Sequence, residues 1–511
     1  MKCSSNKRHR KDPETTFRVF FISLGCDKNL VDSEQMIGLL MSRGYEMTDD
    51  EDAADLIVVN SCCFIGDARE ESINTIIEMG AKKTDGRLKA LIVCGCLAQR
   101  YADEIKKTMP EVDAIIGTTS IDAIADAADD LLRSEDDGKE KSISPVLSYI
   151  NSIDRYVYLK GLREITGSVC SASLKIADGC NKNCSYCVIP RVRGHYRSVP
   201  MEDLISDATA LAARGVKELL LIAQETTVYG TDIYGRKALP ELLYRLCEIE
   251  GIEWIRLMYC YPEEITDELI ECMKSEPKIC HYLDLPIQHC SDRVLKLMGR
   301  KTTKDGLVYI IQKLRKSIPD IALRTTLISG FPGETEEEHE ELKGFVRDMR
   351  FDRLGCFAYS REEGTEAAAM RGQIHHATKR RRQREIMEIQ QSIAFDTEAA
   401  LKGRRLRVMV EGRIAGDTGD DTLSDIVKTD GEVVDTSSLY YHAADNTLTI
   451  GGDETETTLH VEADCSWQIA TVADWLQVSP QSGSGNMDVQ VIADGPNPSW
   501  TTQREAELVL T

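Results

Sequence analysis

Short apolar runs alternate with amphipathic segments along the first part of the chain. The runs are 17–26 (FRVFFISLGC), 54–63 (ADLIVVNSCC) and 89–96 (KALIVCGC). Helical patterns separate them at 31–44, which opens with the candidate caps Asp32 and Ser33, and at 67–83. Continuous apolar strands that alternate with helices are typical of a parallel sheet covered on both faces. The pattern therefore predicts an α/β fold that begins with an open parallel sheet domain over residues 17–145.

The same alternation resumes at residue 172 and continues for six units. The candidate strands are 172–180 (ASLKIADGC), 217–225 (KELLLIAQE), 253–260 (EWIRLMYC), 281–289 (HYLDLPIQH), 322–331 (ALRTTLISGF) and 353–360 (RLGCFAYS). Helical segments such as 201–215 and 291–299 lie between them. Six βα units of this size predict a partial (β/α)6 barrel over residues 166–400, with its site at the C-terminal ends of the strands.

After residue 400 the pattern changes twice. Residues 402–414 predict one strand, and the polar, acidic stretch 415–438 predicts a linker, so that 401–445 forms a connecting segment. A domain at 446–511 is expected to be a small all-β sandwich, because short alternating runs are separated there by Gly, Asp, Asn and Pro. These runs are 447–452, 457–464, 466–485, 487–494 and 504–511.

The charge of the chain is unevenly distributed. The formal net charge is −23, but residues 411–511 carry 19 acidic and 3 basic residues, which is −16 and leaves −7 for the rest. The acidity belongs mainly to the tail and says little about what the body binds. The sequence contains no run of about eighteen apolar residues, so we expect no membrane-spanning segment. The basic N-terminus is followed by no apolar core and is not expected to be a secretory signal.

The cysteines indicate a reducing compartment. There are 17 in 511 residues, an odd number that is widely scattered, unlike the dense even set of a small secreted scaffold. We interpret them as reduced thiols in a cytoplasm, some of which bind metal.

Three cysteines crowd into eight positions directly after the first strand of the predicted barrel. These loop cysteines are Cys180, Cys184 and Cys187. A disulfide uses two cysteines, whereas soft thiolates bind zinc or an iron–sulfur cluster. A structural zinc would need a fourth ligand, for which Cys170 or His195 are candidates. A four-iron cluster held by three thiolates would leave one iron open for a small molecule, and the position at the barrel mouth favours this interpretation.

A second set of cysteines ends the three apolar runs of the first domain. These strand-end cysteines are Cys26, Cys62 and Cys96, separated by 36 and 34 residues, or about one βα unit each. Ligands of open parallel sheets bind outside the carboxyl ends of the strands, so we expect the three to converge in a second metal site. A buried cysteine is otherwise a small hydrophobe, and the neighbouring Cys63 and Cys94 are interpreted in that way.

Several motifs resemble one family. The loop CNKNCSYC looks like the CxxxCxxC loop of radical S-adenosylmethionine enzymes. Six longer stretches resemble the methylthiotransferases among them: 23–34 (SLGCDKNLVDSE), 94–101 (CGCLAQRY), 189–198 (IPRVRGHYRS), 283–300 (LDLPIQHCSDRVLKLMGR), 323–338 (LRTTLISGFPGETEEE) and 359–365 (YSREEGT). The resemblance covers roughly residues 17–410 and is nearest to the branch that methylthiolates an aspartate of small-subunit ribosomal protein twelve.

The resemblance implies two 4Fe–4S clusters. The loop cysteines would hold the cluster that binds S-adenosylmethionine and cleaves it to a 5′-deoxyadenosyl radical. The strand-end cysteines would hold an auxiliary cluster whose open iron carries the sulfur to be transferred. The target is an unactivated C–H bond, which a side-chain base could not deprotonate, so the cofactor carries the hard chemistry.

The resemblance also implies contacts to S-adenosylmethionine. Tyr186 would lie near the adenine, and Gln224, Glu225 and Arg324 would bind the methionine or the ribose. Each of the four could instead be a structural residue that lines the barrel. Two positions depart from the family pattern, since Glu225 stands where aspartate is expected and Cys63 where glycine is expected.

The implied substrate is the β-carbon of the aspartate in ribosomal protein twelve, with an electron donor such as flavodoxin or ferredoxin and no membrane. A sibling branch modifies an adenosine of tRNA. The basic segment 379–385 (KRRRQRE) could contact phosphates, although a solvated helix face is the simpler interpretation. A chain that binds clusters or nucleic acid without catalysis is the third hypothesis.

The tail resembles other modules. Residues 402–414 look like the first strand of the small TRAM β-barrel that ends these enzymes. Residues from 446 onward resemble a BACON domain, a module proposed to bind carbohydrate and usually found outside the cytoplasm. The resemblance therefore implies carbohydrate as a partner of the tail.

Overall fold

The structure is a computed structural model, which describes most of the body and short strands of the tail. The described residues are 16–85, 88–133, 146–167, 170–403, 407–415, 423–429, 456–461, 466–471, 476–479, 482–484, 487–493 and 508–510. The chain divides into two compact units. The first consists of Met1–Thr166 with Val188–His195, and the second of Gly167–Cys187 with Tyr196–Thr511.

The first unit contains one parallel sheet of six strands in the order β2-β1-β3-β4-β5-β6. The strands are β1 Arg18–Ser23, β2 Glu46–Met47, β3 Leu56–Ser61, β4 Ala90–Cys94, β5 Ala114–Ile116 and β6 Leu147–Tyr149. The helices are α1 Asp27–Ser42, α2 Gly66–Asp85, α3 Gly95–Thr108, α4 Ile124–Leu132 and the short α5 Ile189–Val192, with 3-10 turns at Glu51–Ala53 and Ile121–Ala123. The predicted open parallel α/β sheet is confirmed.

The central strands β3 and β4 are buried along their whole length. Alternate residues of a strand point to opposite faces of its sheet, and here both faces carry a hydrophobic core. One core contains Ile57, Val59, Leu91 and Val93, and the other contains Leu56, Val58, Ala90 and Ile92. Burial on both sides explains why these strands are continuous apolar runs rather than alternating ones.

Helix α1 begins earlier than its pattern predicts. It starts at Asp27 with Cys26 as its N-cap residue, so the prediction that Asp32 and Ser33 cap it is wrong. Both side chains lie inside the helix and bond to distant partners: the Asp32 carboxylate accepts from Arg193, and the Ser33 hydroxyl donates to that of Ser23 at 2.8 Å. Tertiary contacts, rather than capping, therefore account for these two polar residues.

The second unit contains a parallel sheet of six strands in the order β14-β13-β12-β11-β10-β7. Its strands are β7 Ser171–Lys175, β10 Glu218–Ile222, β11 Trp254–Leu257, β12 Ile279–Asp284, β13 Ala322–Ser329 and β14 Arg353–Ala358, and a small antiparallel pair joins β8 Ala177–Asp178 to β9 Arg197–Ser198. The helices are α6 Met201–Ala213, α7 Leu239–Cys247, α8 Asp267–Ser275, α9 Asp292–Leu297, α10 Lys304–Ser317, α11 Glu336–Met349, α12 Glu366–Ala369 and α13 His376–Ala399, with a 3-10 turn at Pro262–Glu264. All six predicted strands are present, which confirms the (β/α)6 arrangement.

The tail is entirely antiparallel in its described strands. β15 Val408–Ala415 pairs with β16 Leu423–Thr429, so the stretch predicted as an acidic linker contains a strand, consistent with its β-branched Ile426 and Val427. Two further sheets have the orders β17-β21-β19 and β20-β18-β22. Their strands are β17 Glu456–Val461, β18 Ser466–Thr471, β19 Leu476–Ser479, β20 Ser482–Ser484, β21 Met487–Ala493 and β22 Leu508–Leu510. The predicted run 447–452 lies outside the described residues, and the sandwich stays a prediction.

No described helix combines the length and the apolar character that a membrane crossing requires.

Candidate metal centres

The strand-end cysteines lie at the carboxyl edge of the first unit's sheet. Cys26 is the N-cap residue of α1, Cys62 follows β3 directly, and Cys96 lies in the first turn of α3, just after β4. Cys62 and Cys96 are 7% and 8% exposed, whereas Cys26 is exposed. The parallel topology thus places all three at one edge.

Two glycines allow the loops at this edge to approach one another. A Cβ on Gly25, where φ is +95°, would lie 2.8 Å from the Cβ of Cys62 and 3.0 Å from its Sγ. A Cβ on Gly95, where φ is +89°, would lie 2.3 Å from Oδ1 of Asn60. Glycine alone tolerates both the left-handed backbone and the close contact. The loop before Cys26 therefore packs directly against Cys62.

The strand-end thiols also influence one another electrostatically. Burial is the largest effect and raises the pKa of Cys96 to about 12. The guanidinium of Arg193 opposes this rise, while negative charge on Cys26 and Cys62 adds to it. These effects agree with the expected convergence of the three cysteines, which stays a prediction.

The loop cysteines lie between β8 and α5. Cys180 and Cys184 are 7% and 9% exposed, and Cys187 is half-buried. The backbone N–H of Lys182 donates to Sγ of Cys180 at 3.4 Å, and the hydroxyl of Tyr261 lies 3.8 Å from Sγ of Cys184. Burial raises the pKa of the Cys180 thiol to about 11, and the N–H of Lys182 opposes this rise.

The end of α9 holds this loop in place. Ser185 donates its backbone N–H to the carbonyl of Met298 at 3.0 Å and its hydroxyl to that of Leu297 at 2.7 Å. A Cβ on Gly299, where φ is +73°, would lie 2.5 Å from the carbonyl oxygen of Asn183. Contacts with the end of α9 and with Gly299 therefore hold the loop in one conformation.

The two candidate fourth ligands of a zinc ion, Cys170 and His195, have different surroundings. Cys170 precedes β7, whereas the loop follows it, so the five-residue strand separates them by about 16 Å. Nδ1 of His195 lies 2.7 Å from a carboxylate oxygen of Asp154. Among the described residues, no three His, Cys, Asp or Glu side chains converge as a single ion requires. The thiolates of a four-iron cluster bind different irons, so the two cysteine sets fit such clusters by their chemistry, and their assignment as ligands stays a prediction.

Known proteins resemble this chain over both units. The family models that match are Uncharacterized protein family UPF0004, over residues 18–117, and the radical SAM superfamily, over residues 174–346. A solved structure of the radical S-adenosylmethionine methyltransferase TsrM from Kitasatospora setae gives a TM-score of 0.48 at 14% identity and covers 67% of this chain and 73% of that one. The ribosomal protein uS12 methylthiotransferase RimO of Lachnoclostridium phytofermentans is 60% identical over 400 residues, which are 78% of this chain and 89% of that protein. The chain belongs to the ribosomal protein uS12 methylthiotransferase family.

A second relative supports the same assignment. The enzyme of the same name from Acetivibrio thermocellus is 49% identical over 395 residues, which are 77% of this chain and 86% of that protein. Membership of this family makes the chain a transferase of the radical S-adenosylmethionine class, with 4Fe–4S clusters and S-adenosylmethionine as its cofactors.

Two of the predicted S-adenosylmethionine contacts follow β10, close to the loop cysteines. The Gln224 side-chain N–H donates to Asp178 at 3.0 Å, while its buried Oε1 has no hydrogen-bond partner within the structure and could accept one from a ligand. Glu225 is 1% exposed and accepts from the Thr227 hydroxyl at 2.9 Å. Burial, the largest effect, raises the pKa of Glu225 to about 7, whereas the Lys182 ammonium lowers it. A buried hydrogen-bond acceptor and a carboxyl group with a pKa near 7 are both able to bind a cationic amino group.

Of the other two predicted contacts, Tyr186 lies within the cysteine loop and Arg324 lies on β13. Tyr186 is half-buried, and its ring packs against an apolar cluster formed by Val294, Met298, Phe331, Tyr359 and Ala367. Arg324 lies on β13 opposite Asp284 of β12, with its Nε 3.8 Å from Oδ1 of that residue. Tyr186 therefore supports the cysteine loop, and the contact of either residue with the cofactor stays a prediction.

The sequence interpretation missed a charged network beside the loop. The Lys182 ammonium lies 2.5 Å from Glu264, 3.5 Å from Glu225 and 3.9 Å from Glu263. The sequence did contain a signal for this network. Glu263 and Glu264 follow β11, so they lie near the carboxyl end of a strand, where the site is expected. The network joins the cysteine loop to two neighbouring strand ends.

The basic segment of α13 is only in part the predicted solvated face, because Arg380 and Arg384 are exposed but two other cations are buried. Lys379 and Arg382 are 9% and 4% exposed. Lys379 donates to the carbonyl of Tyr359 at 2.9 Å, and Arg382 donates to the Glu334 carboxylate at 2.9 Å. These two cations help to pack α13 against the sheet. The pattern of charges along the sequence does not show that they are buried.

Proposed function

We propose that this chain inserts a methylthio group at the β-carbon of an aspartate in uS12, the small-subunit ribosomal protein twelve. The observation that carries the proposal is the presence of two three-cysteine sets, each at the carboxyl edge of a parallel sheet in its own compact unit. Two sites with three thiolates each match a reaction that needs one cluster for S-adenosylmethionine and another for sulfur. The names of the relatives support uS12 as the substrate.

In the second unit, the loop cysteines would hold the cluster that binds S-adenosylmethionine. When bound, this cofactor pair supplies the radical that removes a hydrogen atom from an unactivated carbon. The buried Oε1 of Gln224 would accept a hydrogen bond from the cofactor, and Glu225 offers a carboxylate whose charge Lys182 supports. Arg324 would bind the methionine carboxylate or the ribose, and Tyr186 would hold the loop beside the adenine.

In the first unit, the strand-end cysteines would hold the auxiliary cluster. Cys62 and Cys96 are nearly buried and Cys26 is exposed, so one side of the site is open to solvent and to a substrate. Burial of the other two thiolates protects a cluster from oxidation and hydrolysis.

The remaining assignments complete the proposal. The cytoplasm is the proposed compartment, because it keeps thiols reduced, and a flavodoxin or ferredoxin is the proposed electron donor. The proposed domains are 17–145 for the auxiliary cluster, 166–400 for the barrel, 401–445 as a connection and 446–511 as a β-sandwich that binds carbohydrate.

Mass spectrometry tests the proposed reaction. We would express the chain in cells that lack their own enzyme and analyse both uS12 and total tRNA. We expect the aspartate of uS12 to gain the mass of one methylthio group, and a matched variant with alanine at Cys26, Cys62 and Cys96 to show no gain. Modification of tRNA adenosine alone would assign the chain to the sibling activity. If the reduced protein does not cleave S-adenosylmethionine, the result supports the third hypothesis, a chain that binds clusters or nucleic acid without catalysis.

A further inference from the structure

The side chain of Asn29 joins the loops that carry the strand-end cysteines. Asn29 lies in the first turns of α1 and is 1% exposed. Its Nδ2 donates to the carbonyl of Leu24 at 2.9 Å and to that of Ser61 at 3.2 Å. Leu24 precedes Cys26 by two positions, and Ser61 immediately precedes Cys62. One amide group therefore ties the Cys26 loop to the Cys62 loop.

The same amide reaches the third loop through its oxygen. The Cys96 thiol lies 3.8 Å from Oδ1 of Asn29, within hydrogen-bonding range for sulfur. The backbone carbonyl of Asn29 also accepts from Nδ2 of Asn60 at 2.9 Å. Asparagine is a poor helix former, and here its donors and acceptor all serve tertiary contacts. Asn29 thus contacts all three loops of the predicted auxiliary site.

Arg193 fixes the orientation of this amide. It is 2% exposed, and its guanidinium donates to Oδ1 of Asn29 at 2.5 Å and to Oδ2 of Asp32 at 2.6 Å. Asp32 is itself 3% exposed and lies about one turn further along α1. A planar guanidinium that bonds two acceptors holds both in one geometry. With Oδ1 directed at Arg193, Nδ2 is directed at the two carbonyls.

Arg193 also places a buried positive charge among the thiols. The guanidinium bonds Oδ1 of Asn29, which lies 3.8 Å from Sγ of Cys96, so a single amide oxygen separates the cation from a candidate ligand. The ion pair with Asp32 keeps the cation in place, because either partner alone would be an uncompensated buried charge. The charge therefore acts at a fixed position beside the candidate ligands.

We propose that Asn29 and Arg193 are positioning residues of the auxiliary cluster. Asn29 sets the spacing of the three thiols, and Arg193 orients Asn29 and offsets part of the negative charge of the thiolates. This inference rests on the proposed function, since it requires the strand-end cysteines to hold the cluster.

Iron content tests the role of Asn29. The parent protein carries Cys180→Ala, Cys184→Ala and Cys187→Ala, so that only the auxiliary site holds iron. The matched control is Gln390→Leu, which removes another buried amide, one that donates to the carbonyl of Phe351 at 2.8 Å. After anaerobic reconstitution, we expect about four iron atoms per chain in the parent and in the control. We expect at least a twofold loss in Asn29→Ala.

The outcomes separate the two proposals. A parent that holds no iron would overturn the proposed auxiliary site and this inference with it. A parent and an Asn29→Ala variant with equal iron would overturn the inference alone. The melting temperature of each apo protein shows whether Asn29→Ala destabilises the fold more than Gln390→Leu does; if so, the Arg193 variants decide the question.

The reduction potential of the auxiliary cluster tests the role of Arg193. In the same parent, Arg193→Gln removes the cation, whereas Arg193→Lys keeps it. Because reduction adds negative charge, loss of a nearby cation should shift the potential of Arg193→Gln to more negative values. We expect Arg193→Lys to remain closer to the parent. A merely structural role would affect both variants alike, and identical potentials in all three proteins would refute the electrostatic role.

Discussion

Adjacent cysteines of the first unit have different surroundings. Cys62 is within reach of the Gly25 loop, whereas its neighbour Cys63 is fully buried in a hydrophobic core. Cys94 is fully buried in the core on the opposite face of the sheet, two positions before Cys96. Cys96 belongs to the same core as Cys63, so it is its position at a strand end, rather than its burial, that distinguishes it from the cysteines that pack as small hydrophobes.

Replacement of each cysteine set should therefore have a distinct effect. With all six ligands present, we expect about eight iron atoms per chain, since each cluster holds four. Alanine at the strand-end cysteines should leave about four and retain cleavage of S-adenosylmethionine, while methylthio transfer disappears. Alanine at the loop cysteines should also leave about four and abolish cleavage. Iron analysis and 5′-deoxyadenosine formation measure these outcomes.

Cys63→Ala and Cys94→Ala are the matched controls for this comparison. Both should retain full iron and cleavage, with a lower melting temperature because each leaves a small cavity in a core. Loss of iron from either control, or unchanged iron after removal of the strand-end cysteines, would contradict the assignment.

At the scale of elements, helix α11 shows how a local motif and tertiary contacts combine. Thr335 and Glu338 form a capping box at its N-terminus. Glu338 also accepts from the Ser291 hydroxyl at 2.8 Å and from the Arg293 guanidinium. Ser291 caps α9, so this one carboxylate links the starts of two helices. Burial opposes ionisation of Glu338, but these hydrogen bonds outweigh it and lower its pKa to about 2.

Glu338→Gln should destabilise the protein in a pH-dependent way. A depressed folded-state pKa gives stability that is present above the unfolded value near 4.5 and is lost as the pH falls toward 2. We expect the substitution to cost about 1–2 kcal/mol at pH 7 and progressively less between pH 5 and pH 3. Thermal melts of the apo protein across this range measure the effect. The exposed Glu337→Gln is the control, and an equal loss at every pH would disprove the mechanism.

At the scale of the whole molecule, the body and the tail differ in architecture. Both six-stranded sheets of the body are parallel, and every described sheet of the tail is antiparallel. The described strands of 456–510 pair only with one another. The charge follows the same division, because residues 411–511 carry −16 of the total −23.

Removal of residues 447–511 should therefore leave the central chemistry intact. We expect unchanged iron content, S-adenosylmethionine cleavage and body melting temperature, since none of the proposed ligands or contacts lies in the deleted region. A truncation after residue 375 is the contrasting variant. It removes α13, whose Arg382 bonds the buried Glu334, and should prevent stable folding. Loss of cleavage in the shorter deletion would show that the tail is part of the enzyme.

Features that depend on local periodicity can be predicted from the sequence alone. Unbroken apolar runs separated by helical patterns predict both parallel sheets, because burial on two faces leaves no polar positions in a strand. Several of these runs end in cysteine, and parallel topology brings their ends to one edge, so the sequence predicts where the two candidate metal sites lie. Several of the stretches that resemble the methylthiotransferases contain these cysteines.

Contacts between polar groups that are far apart in the sequence could not be predicted in this way, because they form only when the chain folds. Arg193 and Asn29 are 164 positions apart, and no local pattern pairs them. The buried cations of α13 looked like part of a solvated face, because charge alone does not show that Lys379 meets the carbonyl of Tyr359 and Arg382 meets Glu334. Likewise, α1 begins at Asp27 because the chain turns at Gly25, and Asp32 serves Arg193 rather than a cap. A buried polar residue needs a hydrogen-bonding partner, and the fold determines which residue that partner is.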